Sequence, residues 1–308
     1  MSQHEAPSTP NIKQDHTARN KCTGIIAAMN PEEAVLMNVI SSVYEDLDKI
    51  ILVDNDSTNF STYVNNIKSN FPNITVIHNL SNIGLTAQLN QGINHAISEG
   101  SDMVLILTQD TIMRRGGLKR MLKFYEENKN LNIGVLGANS SFRSDSNPKE
   151  HDIEFSVVKM LMSTAIVVPT NIFLAVGSYR EDFFIYHEDD EFCYRVRKSG
   201  YQVILLNNEF TKHREGDAMV KMYNPIGLRR TYVPARKPNM VYYVIRNGTY
   251  FSLYETFSFL PASLLVSYSN VVSSIVHYRQ PLLTLKFALI GMYHGLKGRL
   301  GKYDISTP

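Results

Sequence analysis

The run Val104-Leu105-Ile106-Leu107-Thr108 is apolar at four consecutive positions and closes on Gln109 and Asp110. A strand without polar alternation has both faces covered, so it belongs inside a sheet that carries helices on each side. Its polar end is where open α/β sheets present groups to ligands. An Asp at a strand end is also a common turn residue or helix N-cap, so Asp110 alone decides nothing.

The same grammar repeats upstream. Lys21 to Ala28 predicts a first strand, and Met29-Asn30-Pro31-Glu32-Glu33 predicts a turn into a helix reaching about Tyr44, with Pro near its start and acids in its first turn. Lys49 to Val53 predicts a second buried strand, ending in Asp54-Asn55-Asp56-Ser57-Thr58. A helix is expected around Ser61 to Asn70, a short strand over Ile74 to Ile77 and a loop over Asn79 to Gly84. Leu85, Leu89, Ile93 and Ile97 then recur four apart, a helical stripe that ends at Gly100. This alternation predicts an α/β fold with a Rossmann-like, mostly parallel sheet flanked by helices.

Further on, a helix is expected from Gly117 to about Asn130, a strand over Ile133 to Gly137 and a polar loop, Ser140 to Glu150, placed to cover a site. Strand-like sequence returns around Ser163-Thr164. The acidic cluster Glu188-Asp189-Asp190-Glu191 leads into a helix expected over Asp190 to Gly200, and Tyr201 to Leu206 reads as another strand. From Thr256 to Tyr278 there is no Asp, Glu, Lys or Arg, a length that can span a bilayer. Pro261 and six serines interrupt it, so an interfacial or partly buried helical region is expected instead. The tail, Lys286 to Lys302, mixes Phe287, Ile290, Met292, Tyr293 and Leu296 with four cations, as a membrane-surface helix or an amphipathic helix packed on the domain would.

Composition narrows the partners and the compartment. With 31 Lys+Arg against 29 Asp+Glu the net charge is +2, so no global field selects nucleic acid. Cys22 and Cys193 have no CxxC spacing, which points to a reducing cytoplasm. Residues 1–20 are polar and without apolar period, and are expected to be a disordered leader rather than a signal peptide.

Asp54, Asp110 and Glu188-Asp189 each have a bland reading as caps or solvated loop acids. Two at the carboxyl ends of parallel strands and a third before a helix, with His213-x-x-Gly216 downstream, together suggest a nucleotide-diphosphate site with a metal. In this order and spacing the motifs resemble those of the inverting family-two glycosyltransferases of GT-A fold, most closely the bacterial rhamnosyltransferase-like branch that uses deoxythymidine-diphosphate-rhamnose (dTDP-rhamnose). The residues that carry the resemblance are the Asn30-Pro31 of AAMNP, the VDNDS of residues 53–57, the Asn82-x-Gly84 and Asn90-x-Gly92 pair, the TQD of residues 108–110, and FFIYHEDDEFCYRVRKSGY of residues 183–201. His213-x-x-Gly216 and Tyr243-x-x-Arg246-Asn247 complete it, over about residues 23–250.

The resemblance implies a GT-A domain over residues 21–250, followed over 251–308 by the helical extension expected either to contact a membrane or to pack on the domain. It implies roles residue by residue. Asp54 would accept hydrogen bonds from the nucleotide base. Asn30, Asn82, Gly84, Thr108 and Gln109 would line the donor pocket. Asp110 and His213 would hold Mg2+ or Mn2+ against the diphosphate. Asp189 would be the general base, with Glu188 as the alternative because four consecutive acids leave the alignment open by one position. Arg195 would orient these acids or form a helix-surface ion pair, and a structural ion pair is the expectation for Arg246 and Asn247.

The function implied is transfer of L-rhamnose from a nucleotide-diphosphate donor to a glycan or lipid-linked acceptor in cell-surface polysaccharide synthesis, at the inner face of a bacterial membrane. A non-catalytic nucleotide-sugar-binding or scaffolding relative is the second reading. A Rossmann oxidoreductase is set aside because AAMNPE stands where GxGxxG is needed. Two departures matter. Thr108 replaces the first acid of the family's DxD motif and brings no charge to the cation. The chain has no Trp, so the QxxRW signature of processive relatives is absent, and transfer of one or few sugars is expected. The sequon Asn55-Asp56-Ser57 would put a glycan into the nucleotide pocket on a eukaryotic secretory route, in keeping with a cytoplasmic enzyme.

Overall fold

In the computed structural model β1 (Cys22–Ala28), α1 (Glu33–Val43), β2 (Lys49–Asn55), α2 (Phe60–Asn70), β3 (Ile74–Asn79), α3 (Leu85–Ser98) and β4 (Met103–Thr108) alternate as the periodicity requires. The residues described are 20–141, 152–213, 218–224, 229–256 and 260–304; the expected leader up to residue 19, most of the expected 140–150 loop, and Gly216 lie outside them. The chain continues through β5 (Thr111–Met113), α4 (Gly117–Glu127), β6 (Ile133–Ser141), β7 (Phe155–Val157), β8 (Ala165–Pro169), α5 (Thr170–Val176), α6 (Glu188–Lys198) and β9 (Gln202–His213). After these come β10 (Ala218–Asn224), β11 (Arg229–Ala235), α7 (Pro238–Tyr250), α8 (Leu260–Tyr278) and α9 (Pro281–Leu296).

Among the described residues one mixed sheet runs β3-β2-β1-β4-β8-β6-β9-β5, with β7 added against β9, and β10–β11 form a separate antiparallel pair. The β3-β2-β1-β4 part is wholly parallel, with Ala28 beside Asp54 and Ala27 beside Thr108, so the carboxyl ends of three strands lie side by side. β8 then enters antiparallel between β4 and β6.

Strand residues alternate between two cores. Ile26, Leu52 and Leu105 pack with α1, α2 and α4, through Leu36, Ile67 and Met121 among others. Ile25, Val53 and Ile106 pack with α3, α5 and α6, through Leu89, Ile172 and Val196. The unbroken apolar strands of the sequence are thus buried on both faces, each side contributing roughly 1.5–3 kcal/mol per large aliphatic side chain.

The structure moves several boundaries, and lengthens the expected 133–137 and 201–206 strands to Ser141 and His213. Pro31 stands before α1, which begins at Glu33. Ser163-Thr164 form a turn, and the strand starts at Ala165. α6 begins at Glu188, two residues earlier than its periodicity indicated, because the turn before it is held from outside the helix.

The C-terminal helices are packed against α7. A Cβ on Gly291 would lie 2.6 Å from the Tyr242 carbonyl oxygen, and one on Gly295 2.5 Å from that of Arg246. Only glycine lets α9 approach the α7 backbone so closely. Among the described residues no helix is long and apolar enough to cross a membrane.

Candidate active site

A cleft of about 550 Å³ opens at the carboxyl edge of the parallel strands, a volume suited to a small-molecule ligand. It is lined by Ala27, Ala28 and Met29 after β1, Asn55 after β2, Asn82, Gly84 and Gln88 around the start of α3, and Thr108, Gln109 and Asp110 after β4. Across from these, Ser163, Phe184, Tyr186, Glu188, Asp189, Arg236 and Met240 complete the wall. Seven of the residues singled out in the sequence, Asn82, Gly84, Thr108, Gln109, Asp110, Glu188 and Asp189, therefore share one cavity.

Asp54 and Asn30 do not line it. Asp54 is 0% exposed and its four acceptor positions are filled: Oδ1 by Ser57 N at 3.1 Å and His78 Nδ1 at 2.8 Å, Oδ2 by the Ser57 hydroxyl and by Tyr63 Oη at 2.5 Å. A nucleotide base would have to displace one of these donors to reach the carboxylate. Its work is to fix the turn beneath the cleft. His78 in turn stacks on Phe60 with ring centroids 3.8 Å apart. Asn30, at φ +49°, pins the same turn by accepting from Thr58 N and Thr58 Oγ1, both at 2.9 Å. Asn55, which the sequence reading noted only as a sequon, is the residue that reaches the cleft. It is buried and donates to Asn82 Oδ1 at 3.1 Å, leaving no room for a glycan.

Gly84 has φ +91°, and a Cβ there would meet the Phe184 ring at 2.5 Å. Its freedom serves close packing against Phe184, whose carbonyl accepts from Leu85 N at 2.7 Å at the start of α3. Gln109 is a tie between strands: Oε1 accepts from Met29 N at 2.7 Å and Nε2 donates to Met29 O at 3.2 Å. Thr108 Oγ1 lies 2.7 Å from Thr111 Oγ1. Asp110 stands in the turn between β4 and β5, and β5 pairs with β9 so that Thr111 is opposite His213. Backbone register therefore brings the two expected metal ligands to neighbouring positions of one sheet edge.

The acid pair is built differently from the rest. Glu188 is 6% exposed, with Oε2 buried and without a hydrogen-bond partner among the described residues. Asp189 is half-buried, and its Oδ1 accepts both the backbone N–H of Ser163, at 3.1 Å, and the Ser163 hydroxyl. Burial, aided by the Asp189 charge, pushes the Glu188 carboxyl up to about 8. Burial also pushes Asp189 up, to about 6, against the opposing pull of the Ser163 hydrogen bonds. Desolvation thus outweighs the start of α6, which by its dipole would favour the ionised forms. The pair thus holds a proton more tightly than ordinary carboxylates do, Glu188 more so than Asp189.

The turn delivering this pair is unusual. Phe184, Tyr186 and His187 all have positive φ, at +66°, +69° and +63°, conformations that non-glycine residues hold only under constraint. The constraint comes from α7. Asn247 Nδ2 is aimed at the carbonyls of Phe183 and Ile185 at 2.9 Å and Tyr186 at 2.8 Å. Arg246 donates to Phe183 O at 2.9 Å and to Gly301 O. Both side chains are 0% exposed. Sequence reasoning assigned these two a structural ion pair; they bind backbone carbonyls instead, because a bent turn exposes acceptors that no ladder satisfies. A charged and an amide side chain directly after the apolar run VYYVI, within one helix, was the available signal. Arg195 likewise does not orient the acid pair: it bonds Glu191 at 2.6 Å and the carbonyls of Val176, Gly177 and Ser178. Ser163, read only as strand-like sequence, and Arg236 were not singled out as site residues, since single Ser and Arg residues carry no site pattern. Arg236 packs over the Tyr186 ring at 4.3 Å and favours the charged form of Glu188.

A parallel half-sheet whose carboxyl edge opens into a cleft, closed on the far side by an acid pair on a helix, is the arrangement expected of a glycosyltransferase of the GT-A type. Comparison with known proteins gives the same class. The sequence model of glycosyl transferase family 2 matches residues 24–185, and the chain belongs to that family. It is 26% identical over 270 residues to the dTDP-rhamnosyl transferase RfbF of Shigella flexneri, covering 82% of this chain and 85% of that one. It is 23% identical over 247 residues to the low-salt glycan biosynthesis hexosyltransferase Agl10 of Haloferax volcanii, covering 72% and 75%. Among solved structures the fold is shared with GalNAc-T7 bound to UDP, GalNAc and Mn2+ (TM-score 0.58, 12% identity), where it covers 94% of this chain but 60% of that one. It is also shared with the Pyrobaculum calidifontis mannosyltransferase PcManGT bound to GDP-Man and Mn2+ (TM-score 0.53, 12% identity, 92% and 88% covered). A third is S. aureus TarS 1-349 with UDP-GlcNAc (TM-score 0.51, 16% identity, 93% and 95% covered).

Proposed function

We propose that this enzyme transfers a deoxysugar, L-rhamnose, from a dTDP-linked donor to a glycan or lipid-linked saccharide, with inversion, in cell-surface polysaccharide synthesis at the inner face of the cell membrane. The donor assignment rests on one observation, the 26% identity to a dTDP-rhamnosyl transferase across most of both chains. The mechanism rests on the cleft. Asp189 is the general base: Ser163 fixes Oδ1, and Oδ2 is left to take the proton of the acceptor hydroxyl as its oxygen attacks the anomeric carbon. Glu188, protonated, keeps a second negative charge away from the base.

Asn55, Asn82, Gly84, Thr108 and Gln109 form the donor side, on a turn held rigid by Asn30 and Asp54. Asp110 and His213 provide a carboxylate and an imidazole, a donor set that suits Mg2+ or Mn2+ once diphosphate oxygens complete the coordination. Bound there, the cation would offset charge developing on the departing nucleoside diphosphate. Nucleotide sugars screened for protection against thermal unfolding, with and without Mg2+ or Mn2+, test the donor. Protection by dTDP-rhamnose above dTDP-glucose and UDP-sugars is expected; preferential protection by another sugar nucleotide overturns the assignment.

A further inference from the structure

The α8–α9 hairpin carries apolar side chains on its outer face as well as on its inner one, where Phe287 and Ala288 are buried. On the inside, Ser273 and Ser274 are 0% exposed; Ser273 donates to the Pro234 carbonyl at 2.9 Å, and Ser274 Oγ lies 3.3 Å from the buried Thr284 Oγ1. On the outside, Leu282 and Leu289 of α9 are 83% and 66% exposed, and Leu285, Met292 and Leu296 are exposed with them. The spacing 282, 285, 289, 292, 296 is a single helical stripe, so these side chains form one continuous apolar face. A water-facing helix carries its polar residues outward; this one carries leucine.

The charges around the stripe have one sign. Between Glu255 and Asp304 the chain has no acid, while Lys286 lies within α9 and Arg279, Lys297 and Arg299 flank it, all four exposed. We infer that the outer face of α9 docks on an anionic lipid bilayer, its leucines entering the headgroup boundary and its cations meeting lipid phosphates. Charge selects this occupant over a second copy of the chain, since face-to-face pairing of two α9 stripes would bring lysines against lysines.

The inner face of the same helix gives the docking a consequence. Phe287 and Ile290 pack in one aromatic cluster with Phe184, Tyr186 and Met240, three residues that line the cleft. The lipid-facing side is thus roughly one helix diameter, about 10 Å, behind the acceptor wall. The inference deepens the lipid-linked-acceptor reading and rests on it only for this last point.

Flotation of the full-length protein with vesicles tests it. Phosphatidylglycerol–phosphatidylcholine vesicles are expected to carry the protein in low salt and release it in high salt, and phosphatidylcholine alone to carry little. The double variant Leu285→Glu, Leu289→Glu should lose at least about tenfold in vesicle affinity with an unchanged unfolding midpoint. Lys286→Glu with Lys297→Glu should lose the anionic preference. Equal binding by the leucine variant, equal binding to neutral vesicles, or no binding by the native protein overturns the inference. A native dimer that the leucine variant dissolves, without vesicle binding, makes the face a copy-to-copy interface and overturns it too. Vesicle binding without sugar transfer would leave the surface standing and defeat the functional reading instead.

Discussion

Asn247 donates from Nδ2 to the carbonyl oxygen of Tyr186 across 2.8 Å, so a side chain in the core of α7 holds the turn that delivers the acid pair to the cleft. The same amide reaches the Phe183 and Ile185 carbonyls, and the turn it holds contains three non-glycine residues at positive φ. Each such residue costs on the order of 1–3 kcal/mol, and the α7 hydrogen bonds offset it.

Asn247→Ala should therefore act on catalysis through geometry. Leaving buried carbonyls unpaired costs about 1–3 kcal/mol of stability each where water cannot enter. The turn should relax, moving Asp189 off its line. The expected result is a fall in kcat larger than any rise in donor KM, together with a shifted acid limb in the pH profile. A variant with a lowered unfolding midpoint but native kcat would show that the clamp is structural only.

Asp189→Asn keeps the size and the Ser163 contacts of the native residue but cannot accept a proton. Transfer should fall about 10²–10⁴-fold while dTDP-rhamnose still raises the unfolding midpoint. Near-native turnover in this variant would sink the base assignment. Glu188 would then be the residue to test.

The pH dependence has a definite sign. Asp189, pushed up to about 6, must be ionised to act, so kcat should fall as pH drops through about 6 rather than near the ordinary carboxylate range. Ser163→Ala removes a hydrogen bond that favours the ionised form and should move this limb to higher pH. Stability follows Glu188 in the opposite direction. Its folded value, about 8, is above the ordinary 4.5, so the native state binds the extra proton and its stability declines as pH rises between those values. Glu188→Gln should remove part of that decline, a gain of a few kcal/mol at most by pH 8, read from unfolding midpoints across pH.

How much of this was legible in the sequence depends on where each interaction lies. Strands β1, β2 and β4 announce themselves because both their faces are apolar, and Asp110 and Asp189 because an acid at a strand end or helix start is a local pattern. Asn247 was visible as a motif but not as a clamp, since its partners lie about sixty residues away and are backbone atoms, which have no sequence signature. The surroundings of Asp54 were hidden for a similar reason: its four donors come from Ser57, Tyr63 and His78, which only the folded β2–β3 edge brings around it. The α8–α9 hairpin was half legible, as an uncharged stretch whose serines read as interruptions, although Ser273 and Ser274 face inward.

Thr108 bears on the metal. With Asp110 and His213 as the protein's contribution and Thr108 without charge, cation affinity should be weaker than a two-acid site would give. Chelation should slow transfer, and Thr108→Asp should lower the Mn2+ concentration needed for half-maximal rate. If chelation has no effect and His213→Ala is silent, the cation role fails.

The C-terminal segment after α9 supplies the last test. Gly301 N donates to Asp182 O at 2.6 Å, Gly301 O accepts from Arg246, Lys302 Nζ donates to Asn82 O at 2.9 Å and Tyr303 N donates to Tyr243 Oη at 3.0 Å. Three residues thus join the turn before the acid pair, the α7 clamp and the Asn82 loop on the donor side. Deleting residues 300–308 leaves the α9 face intact, so vesicle binding should persist. It removes the Gly301 acceptor that faces buried Arg246 and the tie on Asn82, so kcat should fall and donor KM rise together. Lys302→Ala isolates the second effect: one exposed hydrogen bond is worth about 0.5–1.5 kcal/mol, which predicts a rise in donor KM of up to about tenfold at native kcat. Native kinetics in the truncated enzyme would mean that α7 alone sets the turn.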